Sequence, residues 1–108
     1  MILEQIHKVF DSVSPRVTPS NVSDLYRNYV LVESSNVHSF YYDPSSKELR
    51  VRFLPKEDYG QNGAEYKYFN FPERLFIALL NADSHGSEFW RTVRDKFRYE
   101  RLADWTEV

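Results

Sequence analysis

The spacing of apolar residues predicts helices at both ends of the chain. Residues 2–13 repeat apolar side chains at helical intervals, and Ser14-Pro15 ends this helix. A segment with helix-capping side chains at 18–21 starts a short second helix that runs to about residue 29. Residues 72–80 and about 87–97 again place apolar side chains on one helical face. The pattern therefore predicts two helices before and two helices after a central region.

The central region has the two-residue period of β-strands. Four segments have this character: residues 29–33, 37–42, 48–54 and 64–71. The third alternates most clearly, with Leu49, Val51 and Phe53 on one face and charged residues on the other. The connections are short, which favours antiparallel pairing. The predicted fold class is α+β: an antiparallel sheet of three to four strands with helices packed on one face, in the order ααββββαα.

The composition excludes several classes of function and points to none in particular. The net charge of −2 over 108 residues argues against non-specific binding of duplex DNA, which typically needs a strongly basic surface. The lack of cysteine excludes disulfides, thiolate nucleophiles and cysteine-ligated zinc. Neither a secretory signal pattern nor an apolar run near the ~20 residues of a membrane span is present. We therefore expect a cytoplasmic protein with no membrane partner.

Catalytic and metal-binding motifs are missing from the sequence. His7, His38 and His85 fall in a predicted helix, strand and turn, without a neighbour at metal-ligand spacing. The sequence also has no phosphate-binding glycine loop and no nucleophile elbow. We therefore expect a non-enzymatic protein that uses no cofactor and no metal.

A row of basic side chains follows the last predicted helix. Arg91, Arg94 and Arg98 recur at intervals of three and four residues, and Lys96 and Arg101 extend the row. One interpretation is an anion-binding edge, because the planar guanidinium group suits phosphate and stacks on bases. The other is a solvated helix face, because basic residues are favoured near a helix C-terminus.

The predicted sheet offers a second group of candidate residues. Arg50 and Arg52 point away from the apolar face of their strand, and Lys67 points opposite to Tyr66 and Tyr68. If the two tyrosines face inward, the three cations form an exposed basic strip. If they face outward, they join the arginines as a stacking platform for bases. Aromatic residues occupy both faces of this strand, so the sequence leaves both arrangements open.

Several short motifs in the same order resemble the KTSC domain family. They lie at residues 32–37, 42–44, 49–53, 66–69, 78–82, 86–89 and 93–97, with Tyr99 after the last. The hallmark of that family is a central Tyr-x-Tyr, which Tyr66 and Tyr68 match. The resemblance divides the chain into a helical extension packed on the domain (residues 1–31), a KTSC-like α+β domain (32–102) and a C-terminal tail (103–108).

The resemblance implies a binding role and no reaction. The family occurs at the C-terminus of some lysyl-tRNA synthetases and as small bacterial and phage proteins, and RNA binding has been suggested for it. Together with the charged residues, it yields these candidate ligand-binding positions: Ser35, Asn36, Arg50, Arg52, Tyr66, Lys67, Tyr68, Arg91, Arg94, Lys96 and Arg98. We expect a module that binds single-stranded RNA or a nucleotide through an arginine and aromatic surface. The alternatives are a protein–protein interaction domain, in a homo-oligomer or with a host protein, and a phage-type protein that sequesters a small signalling nucleotide.

Overall fold

An antiparallel sheet of five strands organises the chain in the computed structural model, which describes residues 9–10, 14–56, 62–93 and 96–106. The strands of this sheet are β1 (Val30–Leu31), β2 (Val37–Asp43), β3 (Glu48–Phe53), β5 (Glu65–Tyr68) and β6 (Tyr99–Arg101), in the spatial order β1-β2-β3-β5-β6. Two short strands, β4 (Asn62–Gly63) and β7 (Trp105–Thr106), pair in a second sheet. The helices are a 3₁₀ helix (Val22–Leu25), α1 (Glu73–Asn81) and α2 (His85–Thr92).

One face of the sheet is apolar because apolar side chains fall in register on neighbouring strands. Val51 lies between Phe40 and Tyr66, while Leu49 lies between Tyr42 and Tyr68. Both helices cover this face, and their rings meet the sheet in two close contacts: Tyr42 stacks on Phe76 at 5.0 Å, and Tyr68 meets Phe89 edge-on at 5.7 Å. The predicted α+β class is confirmed. The predicted strand number and element order are wrong in detail, since the sheet has five strands.

The segment before β1 joins the core without the second α-helix that its pattern predicts. Residues 18–29 contain one 3₁₀ helix, which ends at the extended Tyr26, and the positive φ of 58° at the next residue, Arg27, is also incompatible with a continuing helix. Val17 is anchored instead, since its N–H and C=O both bond the side-chain amide of Asn81 at 2.8 Å. Most of the predicted first helix (2–13) lies outside the described residues, but Phe10 forms a parallel bridge to Val32 rather than a helical turn.

The C-terminal part also departs from its helical pattern. α2 ends at Thr92, and the chain turns back to form β6 against β5, so Arg98 and Arg101 do not continue a helical row. The segment expected as a tail contains Trp105, which is buried and pairs with Gly63 across the second sheet. Its indole N–H donates to the carbonyl of Phe53 at 2.8 Å. No helix in the described ranges is long and apolar enough to cross a bilayer.

Candidate binding cleft

A cleft of about 870 Å³ opens between α2, the end of β3 and the β5–β6 edge of the sheet. This volume falls in the range of small-molecule sites. Its lining combines aromatic rings with polar and charged side chains. The residues that matter most for its chemistry are Asn36, Phe53, Tyr66, Trp90, Tyr99 and Arg101.

Four rings form a continuous arc along this cleft, and we call it the aromatic arc: Trp90, Phe53, Tyr66 and Tyr99. Successive ring centroids are 6.3, 6.0 and 5.7 Å apart. The two ends of the arc are well exposed, Trp90 at 43% and Tyr99 at 57%. Exposed aromatic surface next to a concave site is typical of ligand-binding surfaces rather than of core packing.

Local sequence explains how the arc forms. Phe53 continues the inward alternation of β3, and Tyr66 lies opposite Val51 on the same face. Trp90 follows the buried Phe89 on α2, so the helical turn of about 100° per residue brings it to the edge of the covered face. Tyr99 lies opposite Tyr68 on the last strand of the sheet. Because α2 ends before it covers β6, the rings at this edge stay accessible.

In the part of the chain that the structure describes, three charged side chains line the cleft: Lys56, Arg101 and Asp104. Arg101 bonds Asp104 at 2.6 Å, and both side chains are about half exposed. The same guanidinium group lies 5.8 Å from the centre of the Tyr66 ring. Lys56 adds an exposed cation on the rim. The cleft therefore offers ring surface with little excess of positive charge.

The structure resolves the orientation of the family's Tyr-x-Tyr pair. Tyr66 and Tyr68 face the helices, and Arg50, Arg52 and Lys67 lie together on the opposite, outer face. These cations do not form a basic strip, because carboxylates from neighbouring strands lie among them. Arg52 pairs with Glu65 at 3.2 Å, and Lys67 lies 3.8 Å from both Glu48 and Glu100. The outer face is therefore close to charge balance.

Aromatic rings cover two of these outer cations. The Arg52 guanidinium lies 3.7 Å from the centre of the Tyr29 ring, and Arg50 lies 5.5 Å from that of Tyr41. The Tyr29 hydroxyl donates to the buried Glu65 carboxylate. Burial raises the pKa of Tyr29, and the hydrogen bond to Glu65 raises it further. This network joins the N-terminal segment to the sheet and has the character of a structural contact.

The described residues of the predicted basic row each have a partner within the chain. Both carboxylate oxygens of Glu88 accept from Arg91 at 2.7 Å, and this bond lowers the pKa of Glu88. Lys96 donates to the Arg91 carbonyl at 2.8 Å, and Arg98 stacks on the Phe69 ring at 4.0 Å. Arg94 lies outside the described residues. Among the described members of this row, the Arg91 and Arg98 guanidinium groups are therefore engaged with separate partners within the chain.

Of the predicted positions, Asn36, Tyr66 and Tyr68 line the cleft. Ser35 is exposed next to Asn36 and is not part of its lining. Trp90, Tyr99 and Arg101 also line the cleft. The sequence placed Trp90 only within the last predicted helix and Arg101 only in the basic row, and it did not single out Tyr99. The position of β6 beside β5 brings Tyr99 and Arg101 to the cleft.

Two of the three histidines lie in the described ranges and make contacts within the fold, whereas His7 lies outside the described residues. His85 is buried and its Nδ1 lies 2.8 Å from the Leu79 carbonyl oxygen, while His38 packs on the indole of Trp105 at 4.3 Å. In the ranges that the structure describes, no three His, Cys, Asp or Glu side chains converge as a metal site.

Comparison with known proteins places this geometry in a family. An uncharacterized protein of Stutzerimonas stutzeri is 35% identical over 74 residues, which span 68% of this chain and 94% of that protein. A lysine–tRNA ligase of Nostoc sp. is 30% identical over 71 residues, so the match spans 66% of this chain but 11% of the ligase.

A solved structure has the same fold. The crystal structure of a KTSC domain protein from Yersinia pestis superposes with a TM-score of 0.60 and 27% sequence identity, covering 69% of this chain and 96% of that one. The KTSC domain itself matches residues 33–97, which include Asn36, the Tyr-x-Tyr pair and Trp90. The chain therefore belongs to the KTSC domain family.

Proposed function

We propose that this protein is a non-enzymatic binding module that stacks unpaired bases of single-stranded RNA on the aromatic arc. The observation that carries the proposal is the arc itself, with both of its ends exposed in a cleft of nucleotide size. Single-stranded nucleic acids are typically bound on such rings, because every base has a π-face to stack.

The charge of the site agrees with stacking as the main source of affinity. Arg101 is shared with Asp104, and Lys56 is the other cation of the lining among the described residues. A duplex-binding surface would need many phosphate contacts, whereas a stacking site needs few. The proposed ligand is therefore a short unpaired segment.

One relative supports RNA as the ligand class. Related sequence forms part of a lysine–tRNA ligase of Nostoc sp., by its name an enzyme that acts on transfer RNA. A domain that holds unpaired RNA would be useful in such a protein, and we extend that role to this chain. A free nucleotide, our other expectation, would fit the same rings and serves as a competitor in the test.

The test compares two neighbouring residues on opposite faces of the sheet edge. Tyr99 lies at the exposed end of the arc, whereas Arg98 stacks on Phe69 on the outer face. Fluorescence anisotropy with a labelled oligouridine should give a dissociation constant that Tyr99→Ala weakens roughly 5- to 150-fold, the equivalent of losing one stacked base. Arg98→Ala should change it by less than about twofold.

Two results would overturn the proposal. One is the absence of binding by the wild-type protein to any single-stranded RNA at about 50 mM salt. The other is an equal loss of affinity in both variants, which would place the ligand outside the cleft. Addition of free nucleoside monophosphates in excess should displace the oligonucleotide.

A further inference from the structure

The side-chain amide of Asn36 is held in one orientation by its neighbours. The Ser34 hydroxyl oxygen accepts from the backbone N–H groups of Asn36 at 3.3 Å and Val37 at 3.1 Å. Both of its lone pairs are then in use, so its own proton must be donated elsewhere. The acceptor is Oδ1 of Asn36 at 3.0 Å. A flipped amide would place an N–H donor against this hydroxyl proton, so the network assigns the orientation.

α2 encloses the same oxygen. A methyl group at Gly86 would lie 2.6 Å from Oδ1 of Asn36 and 3.1 Å from the Ser34 hydroxyl, so only glycine lets the helix approach this closely. The backbone carbonyl of Asn36 is fixed as well, since it accepts from the Leu54 N–H at 2.9 Å. The amide oxygen is therefore committed to the fold.

The amide nitrogen is left for the cleft. Within the described residues, Nδ2 of Asn36 has no hydrogen-bond partner. Among side-chain polar atoms in those ranges, Nε2 of His85 is the one that is both fully buried and without a hydrogen-bond partner. Nδ2 of Asn36 also lacks a partner but does not share that burial, so it is accessible to solvent. Asn36 lines the cleft between Leu54, whose N–H its carbonyl accepts, and Gly86 of α2. Asn36 therefore offers N–H donors to the cleft, while its own amide oxygen is engaged by Ser34.

We propose that Asn36 selects bases by their exocyclic group, favouring an oxo group over an amino group. The inference rests on the proposed function, because it concerns a base already stacked in the cleft. Uracil O4 and guanine O6 accept a hydrogen bond, whereas the amino groups of cytosine and adenine are donors. An amino group facing Nδ2 would oppose donor to donor and leave both without a partner. Uracil and cytosine are the clearest pair, since they share ring size.

The experiment measures a ratio of affinities. Wild-type protein is titrated with oligouridine and with oligocytidine of equal length, and we expect oligouridine to bind about 3- to 10-fold more tightly, as for one hydrogen bond. Asn36→Asp keeps the shape and still accepts from Ser34, but it replaces the donor by an acceptor. The added charge weakens both ligands, so the readout is the ratio, which should reverse toward oligocytidine. Ser35→Ala, an exposed neighbour outside the lining, should keep the wild-type ratio.

The outcomes separate the two proposals. If the wild-type protein binds oligouridine and oligocytidine with equal affinity, base selection by Asn36 is overturned and stacking on the aromatic arc is left intact. A wild-type preference that persists unchanged in a folded Asn36→Asp protein, checked by its thermal melt, also overturns it. Failure of both oligonucleotides to bind removes the stacking function and the selection together. The wild-type ratio tests the inference even where the aspartate variant does not fold.

Discussion

Gly63→Ala should destabilise the protein strongly, because the second sheet lies too close to β3 for a side chain. A methyl group at Gly63 would overlap the Phe53 carbonyl oxygen and lie 2.5 Å from Nε1 of Trp105. Neither neighbour is the free end of a flexible side chain. The Phe53 carbonyl oxygen accepts from the Trp105 indole. The Phe53 backbone N–H donates to the Ala64 carbonyl oxygen at 2.9 Å.

The expected cost follows from the two ways of relieving this overlap. Small shifts of a well-packed core typically cost about 1–3 kcal/mol. Complete undocking of Trp105, which is 5% exposed, would approach the roughly 3–5 kcal/mol of a tryptophan deletion. We therefore expect a loss of about 2–4 kcal/mol in the free energy of unfolding. For a chain of this size it corresponds to a fall in Tm of roughly 8–16 °C.

Thermal and urea unfolding followed by circular dichroism measure this loss. The matched control is Asn62→Ala on the same strand, which removes an exposed 2.8 Å hydrogen bond from Thr106 and should cost about 1 kcal/mol or less. Equal Tm values for Gly63→Ala and Asn62→Ala would refute the close approach of β4, β3 and Trp105.

Three further predictions concern charge and pH. Lys56 and Arg101 are the cations that line the cleft among the described residues. A plot of log affinity for single-stranded RNA against log salt should therefore have a slope of about −0.7 to −1.4 in anisotropy titrations. A slope near −3 would indicate a larger basic surface. The raised pKa of Tyr29 contributes stability that is present below about pH 10 and is lost as the pH rises and the hydroxyl ionises. Urea unfolding at several alkaline pH values should therefore show a smaller loss of unfolding free energy in Tyr29→Phe than in the wild type. The lowered pKa of Glu88 contributes stability that is present above the usual pKa of a glutamate and is lost as the pH falls through the pKa of the folded state. Glu88→Gln should therefore make Tm decline less steeply as the pH is lowered. An unchanged decline would contradict the contact between Glu88 and Arg91.

The spacing of apolar residues was sufficient to predict a strand or helix where one face of that element is buried along its whole length. Residues 48–54 alternate because their apolar side chains face two covering helices, and α1 follows its apolar face from Glu73 to Asn81. The predicted start at residue 72 lies next to the first residue of α1, and α2 begins after Ser84, whose side chain accepts from the Ser87 N–H.

The pattern failed where a contact between distant residues decides the structure. Phe97 has helical spacing from Val93, yet it packs on Phe71 at 4.9 Å only after the chain has turned. The three residues of β6 are all exposed, so no alternation marks them as a strand. Their pairing with β5 is the tertiary contact that defines them.

Contacts between residues distant in sequence also decide whether the basic candidate residues are available to a ligand. Strand alternation predicted cations available to a ligand, but Arg52 meets Glu65 because the β3–β5 register places them side by side. Sequence separation gave no signal of this pairing. The Tyr-x-Tyr motif was a better guide, because Tyr66 and Tyr68 lie on the face that leads into the cleft.

Tryptophan fluorescence tests the central claim most directly. The chain has two tryptophans: Trp90 is 43% exposed at one end of the aromatic arc, and Trp105 is buried. Titration of the wild-type protein with unlabelled oligouridine should quench emission saturably as a base stacks on Trp90, and Trp90→Phe, which retains Trp105, should lose that quenching. Binding with no change in wild-type emission, or quenching that persists undiminished in Trp90→Phe, would contradict a base-stacking cleft.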